Sequence, residues 1–235
     1  MGILVKEDTS CYASDIQQEI LGVMSGIDIV AKNFFLTGGT AISVFYSHHR
    51  SSEDIDLFST SFQDLKTVDI TLRRIFKKDI ALIQSSPEFY SYLIKGVRVD
   101  LVFDPLSIIE ERSLINLEVG KKIFIDSLAN ISSNKLSAIV SRFEPKDIAD
   151  FYFISKDAWR GSEKENFLAC YNMARGKEAL LDDPAMAAYQ MEELLNHVLL
   201  RKERILPMMK EEIDWSSFEK DLRYYIDMIY RMESW

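Results

Sequence analysis

Asp54 and Asp56 flank Ile55 at the head of an apolar segment, Ile55-Asp56-Leu57-Phe58. The side-chain period of a strand is two, so this spacing points both carboxylates to one face. Like charges held together are unfavourable unless a cation sits between them. Magnesium, with its oxygen preference, suits two carboxylates plus phosphates. A third carboxylate, Asp100, lies mid-strand in Val97-Arg98-Val99-Asp100-Leu101-Val102-Phe103, where β propensity disfavours aspartate and no turn demands it. Three carboxylates on neighbouring strands would form a cup for two magnesium ions. Such a pair, about 3.5–4 Å apart, lowers the pKa of an attacking hydroxyl and neutralises a leaving pyrophosphate, which is in-line phosphoryl or nucleotidyl transfer.

Upstream, Thr37-Gly38-Gly39-Thr40 breaks the apolar run Phe34-Phe35-Leu36, and Ala41 to Tyr46 then has helical spacing. Glycines between a strand and a helix let a phosphate approach backbone N–H groups at the positive end of that helix, and Thr37 and Thr40 add hydroxyl donors. Lys135, Arg142 and Lys146 are candidate phosphate ligands. Asp147 and Asp150, three apart on a helix, share a face and equally suit a structural role beside Arg142 or Lys146. His48 and His49 fall in an expected loop with no third histidine near, so no zinc site is expected.

The elements that must position these groups follow from periodicity. Ser14-Asp15 caps a helix with Ile16, Ile20, Leu21, Val23, Met24, Ile27 and Val30 on its apolar face, although Gly22 and Gly26 weaken its continuity. Ser61 and Asp64 resemble a capping box opening a helix through Leu65 to Phe76. Strands are expected at Ile80–Ile83, Phe89–Ile94 and Val97–Phe103, with a hairpin turn at Lys95-Gly96. Leu114–Val119 and Lys122–Ile125 form a further hairpin about Gly120-Lys121. Beyond Asp126 the period is helical only: a helix capped by Asn130 or Ser132, one starting at Pro145, then Ser162–Arg175, Pro184 to about Arg204, and Trp215–Met232. The fold class is therefore α+β, a mixed β-sheet with flanking helices followed by a C-terminal helical bundle. The expected domains are residues 1–125 and 126–235.

With 235 residues the chain can bury a substantial core, and 47% hydrophobic with 28% charged residues excludes disorder as the default. The net charge of −9 provides no general attraction for nucleic acid, so any such contact requires a local basic patch. Cys11 and Cys170 form no framework and read as buried thiols in a reducing compartment. No apolar run approaches membrane-spanning length, and the expected location is cytoplasmic.

Leu36-Thr37-Gly38-Gly39-Thr40-Ala41, followed by His49-Arg50-x-Ser52-x-Asp54-Ile55-Asp56-Leu57-Phe58, resembles the first motif of the AbiEii/AbiGii toxin family of nucleotidyltransferases. The resemblance continues through Val99-Asp100-Leu101, Asn134-Lys135-Leu136-Ser137-Ala138, Arg142, and Lys146-Asp147-x-x-Asp150-Phe151-Tyr152. It covers residues 33 to 154 and implies a core related to DNA polymerase β-like enzymes. It further implies a nucleoside triphosphate (NTP) substrate with magnesium, a tRNA or protein acceptor, and a cognate antitoxin. Carried over by motif, Gly38 and Gly39, with Thr40 and Ser52, would hold triphosphate. Asp54, Asp56 and Asp100 would hold the metals, Asp100 doubling as general base. Lys135 would bind phosphate, with Arg142, Asp147 and Asp150 in the last nucleotide-binding motifs. Where broader nucleotidyltransferases have Gly-Ser, this chain has Gly-Gly. Two other readings stay open on the residues alone. One is a sugar-nucleotide glycosyltransferase using Asp54-x-Asp56, which leaves Gly38-Gly39 and Asp100 unexplained. The other is a non-catalytic partner-binding protein retaining the fold.

Overall fold

The computed structural model describes residues 5–107 and 112–232. The chain divides into two compact units, one within residues 4–127 and one beginning at Leu128. The first holds a seven-stranded mixed sheet among the described residues. Its strands are β1 (Phe35–Thr37), β2 (Ile55–Ser59), β3 (Ile80–Ser85), β4 (Phe89–Ile94), β5 (Val97–Phe103), β6 (Ser113–Asn116) and β7 (Lys122–Ile125). The strand order is β3-β4-β5-β2-β1-β7-β6. β2–β5 and β1–β7 pair in parallel, the remaining neighbours antiparallel.

The two strands that matter most alternate cleanly. Ile55 and Leu57 of β2, and Val97, Val99 and Leu101 of β5, are buried. That parity leaves Asp56 and Phe58 on the opposite face of β2, and Arg98 and Asp100 on the opposite face of β5. β4 and β5 are joined through Lys95 and Gly96, both at positive φ (48° and 87°), as the twist of a two-residue hairpin requires.

Around the sheet lie α1 (Asp15–Ser25), α2 (Asp28–Asn33), α3 (Gly38–Phe45) and α4 (Leu65–Phe76). The helix expected from Ser14 onward is two. Ser14 Oγ caps α1 by accepting from the Gln17 amide, the Gly26 amide closes α1 onto Met24 and Val23, and extended Ile27 restarts the chain as α2. At α4 the expected capping box shifts. Asp64 itself is the N-cap, accepting from the Lys66 amide at 3.2 Å and the Thr67 hydroxyl at 2.7 Å.

The second unit is helical: α5 (Leu128–Arg142), α6 (Pro145–Ala158), α7 (Glu163–Arg175), α8 (Pro184–Leu200) and α9 (Trp215–Met232), with short 3₁₀ turns before α8 and α9. α5 starts before Asn130 and Ser132, both of which are buried rather than capping. An aromatic cluster knits this core. Phe151 of α6 meets Trp159 edge-on at 5.4 Å, and Phe167 of α7 stacks on Tyr225 of α9 at 4.7 Å. Offset and edge-on pairs of this kind add about 0.5–1.5 kcal/mol each beyond area burial. No helix among the described residues is long and apolar enough to cross a membrane.

Candidate active site

Four strands contribute one transverse row of polar side chains. Thr37 of β1 stands opposite Asp56 of β2, Asp56 opposite Asp100 of β5, and Asp100 opposite Ser91 of β4. Neighbouring strands are about 4.8 Å apart, so the two carboxylates are held side by side by backbone pairing alone. Asp100 is 9% exposed, accepts a 2.5 Å hydrogen bond from Ser91 Oγ, and is paired by Arg98, whose Nε lies 3.1 Å from each carboxylate oxygen. The Asp100 hydrogen bond, together with the charges of Asp100, Asp54 and Asp56, holds the Arg98 guanidinium above its ordinary pKa. Arg98 thus pairs with Asp100 and lies in the field of Asp54 and Asp56. Its position two residues from Asp100 on the same strand face was visible in the alternation, but its role was not.

Asp54 lies one residue before β2 rather than within it. Its backbone carbonyl is fixed by the Gln17 side-chain amide at 3.1 Å and by the Thr40 hydroxyl. Thr40 is fully buried, with its hydroxyl also 2.9 Å from Ser52 Oγ. Thr40, Ser52 and Gln17 therefore tie the start of α3 to the segment carrying Asp54.

The glycine pair opens α3. Gly38 has φ +69°, the left-handed region where a side chain is strained, and a Cβ there would strike the Asp56 carboxylate. A Cβ on Gly39 would strike the Arg50 guanidinium and sit 3.0 Å from Ser52 Oγ. Thr37, the N-cap of α3, gives the helix no side-chain cap. Its hydroxyl instead donates at 2.7 Å to Asp126, a fully buried carboxylate just past β7 that also pairs with Arg112 at 3.3 Å. The first-turn amides of α3 therefore have no side-chain oxygen from their N-cap, beside a pair of half-buried glycines. Arg50, 4% exposed behind Gly39, brings positive charge to the same turn. Arg50 and Asp126 were absent from the candidates read from the sequence. Arg50 lies within the motif, and only long-range pairing reveals Asp126.

Lys135, Arg142, Asp147 and Asp150 form a second cluster in the helical unit. Lys135 Nζ of α5 bridges the two α6 carboxylates, 2.8 Å from Asp147 and 2.7 Å from Asp150. Arg142 grips Asp147 through Nε at 2.7 Å and a terminal nitrogen at 2.8 Å. Both aspartates are fully buried and Lys135 is 5% exposed, whereas half of the Arg142 side chain meets solvent. Burial alone would raise the Asp147 carboxyl, but the charges of Lys135 and Arg142 overcome it and hold it below the usual range. The partner of these aspartates is thus Lys135 as well as Arg142.

The oxygen-rich donor set of Asp54, Asp56 and Asp100, and a turn with no room for a Cβ at Gly38, fit a magnesium-bound triphosphate. The family model for the nucleotidyl transferase AbiEii toxin of type IV toxin–antitoxin systems matches residues 23–230. An uncharacterised protein of Aquifex aeolicus (strain VF5) is 28% identical over 141 residues, 59% of this chain and 66%, just under two thirds, of that protein. Among solved structures, a putative nucleotidyltransferase from Helicobacter pylori superposes with a TM-score of 0.57 at 16% identity, covering 96% of both chains. MenT4, a nucleotidyltransferase toxin from Mycobacterium tuberculosis, superposes with a TM-score of 0.52 at 11% identity, covering 92% of this chain and 82% of its own. Those two likenesses concern the fold, while the family model reaches through both compact units. The chain belongs to the nucleotidyl transferase AbiEii toxin family.

Proposed function

We propose that this protein is a magnesium-dependent nucleotidyltransferase that moves a nucleoside monophosphate from an NTP to an acceptor, RNA (tRNA included) or protein. It would act as the cytoplasmic toxin of a toxin–antitoxin pair, with a cognate antitoxin as partner. The observation that carries the reading is the register that sets Asp56 beside Asp100, next to a glycine turn packed against Asp56.

In this reading Gly38 and Gly39 present the amides of the α3 first turn to the triphosphate, with Arg50 adding positive charge behind them. Thr40 and Ser52 hold the Asp54 segment in place. Asp54, Asp56 and Asp100 would hold two magnesium ions, which supply charge neutralisation at the phosphates and acidification of the attacking hydroxyl. The acceptor hydroxyl oxygen bonds to the α-phosphorus while the bond to the β-bridging oxygen breaks, and pyrophosphate leaves. Asp100 takes the hydroxyl proton as general base. Lys135 and Arg142 are read as phosphate-binding groups, with Asp147 and Asp150 holding Lys135 in place.

The test is incubation with each α-labelled NTP, magnesium, total RNA and total protein, followed by sizing of the labelled product. Label in one RNA or protein band supports the reading and names the acceptor. Failure to label anything, together with no NTP binding in millimolar magnesium by calorimetry, would remove it.

A further inference from the structure

We infer that Asp8, Cys11 and His48 form a zinc site that clamps the segment before α1 to the loop carrying Arg50, Ser52 and Asp54. The ligand atoms of these three residues all lie within 4.8 Å of one another. This runs against the expectation from the sequence, which counted histidines only. The remaining donors, Cys11 and Asp8, come from a part of the chain 37 and 40 residues before His48, and the fold brings them together.

Local structure explains the convergence. Thr9–Cys11 is a single 3₁₀ turn with Asp8 as its N-cap. Residues three apart eclipse on such a turn, so Asp8 and Cys11 present their side chains to the same side. His48 follows the end of α3 with φ +54°, a left-handed conformation uncommon for a residue with a side chain. Its Nδ1 lies 3.3 Å from the Ser43 carbonyl, a contact that orients the ring. Cys11 is fully buried, with its sulfur 3.6 Å from the His48 carbonyl. Asp8 Oδ1 accepts from the Ser10 amide at 3.0 Å, which steadies the carboxylate.

The donor chemistry selects the ion. One sulfur, one imidazole and one carboxylate are the mixed set that zinc accepts and magnesium does not. Zinc with bonds of about 2.0–2.3 Å places its tetrahedral donors about 3.3–3.8 Å apart, so side-chain movements of about 1 Å close this site. With three protein ligands, the fourth position is left to water or an exogenous ligand.

What zinc would secure is already outlined by the backbone. The Lys6 and Asp8 amides bond to the Phe45 and Val44 carbonyls at the end of α3. The Ser52 amide bonds to the Cys11 carbonyl at 3.2 Å, and the Ala13 amide to the Ser52 carbonyl at 3.2 Å. The metal would fasten the middle of the 45–52 stretch, at His48, to the N-terminal strap whose backbone bonds already hold both of its ends. Asp8 and Cys11 precede the residues that the family model matches, so the strap is a feature of this chain beyond that shared region.

The test uses the full chain, stripped with chelator and titrated with Co(II) and then Zn(II) in excess magnesium, which keeps the carboxylate cup occupied. The expected result is one cobalt per chain with a thiolate-to-cobalt charge-transfer band, displaced by one zinc. Cys11→Ser should abolish the band, Cys170→Ser should leave it, and His48→Asn or Asp8→Asn should weaken zinc binding at least about tenfold. Asp56→Asn should bind zinc as the wild type does. A wild type with no thiolate band, or a band that survives Cys11→Ser, overturns the inference. The wild-type spectrum decides this even where a variant fails to fold.

Discussion

Asp56 and Asp100 stand opposite each other on the parallel strands β2 and β5, and Arg98, two residues from Asp100 on the same strand face, pairs with the Asp100 carboxylate. A guanidinium at this position would compete with a divalent ion for the same carboxylate oxygens. Half of the Arg98 side chain is exposed, so Arg98→Ala should change stability by no more than about 1 kcal/mol. It should lower the magnesium concentration for half-maximal activity about fivefold, the equivalent of about 1 kcal/mol. A magnesium titration of the variant checks this, and an unchanged or higher half-saturation point speaks against competition.

Gly38 makes a separate prediction. Gly38→Ala adds a Cβ to a residue at φ +69° and drives it into the Asp56 carboxylate. Strain in the left-handed region costs about 1–2 kcal/mol, before any displacement of Asp56. Urea denaturation should show at least that loss, and nucleotide transfer should fall further than stability accounts for.

Lys135 is buried between two buried carboxylates, which makes its removal costly. Lys135→Ala leaves Asp150 without this cation and should destabilise the helical unit by about 3–5 kcal/mol. Double substitution of Lys135 and Asp150 by apolar residues of similar volume should recover part of that. Calorimetric unfolding of the single and double variants provides the comparison.

Acid should unfold the protein partly through Asp147. Its folded pKa lies below the ordinary 3.8, so the unfolded chain binds this proton more readily. The stability it contributes is fully present above the unfolded pKa and is lost as pH falls through the folded value. Unfolding free energy should therefore drop as pH falls through the ordinary carboxylate value and below it, and Asp147→Asn should flatten that slope while lowering stability at neutral pH. Urea titrations across that range measure both.

Much of this fold was legible because its signals are local. Alternation located β5 and placed Arg98 with Asp100, and Pro145 and Trp215 marked the starts of α6 and α9 as the sequence suggested. Errors arose where two local signals competed. Gly26 ended α1 instead of passing through it, Asp64 took the cap offered to Ser61, and α8 stopped at Leu200, before the charged run to Arg204. Within the site, Asp56 and Asp100 could be read as carboxylates on neighbouring strands, but their register, which sets them opposite each other, could not. That pairing depends on a crossover between non-consecutive strands. Asp126 and the Asp8–Cys11–His48 group depend on contacts between residues far apart in sequence, which no window of sequence reports.

The central claim is tested most directly by following pyrophosphate release from NTP in the presence of magnesium and an acceptor-containing extract. Wild-type protein should release pyrophosphate in step with label entering the acceptor, and Asp56→Asn, folded by circular dichroism, should do neither. Pyrophosphate release and labelling that persist in Asp56→Asn would contradict the account.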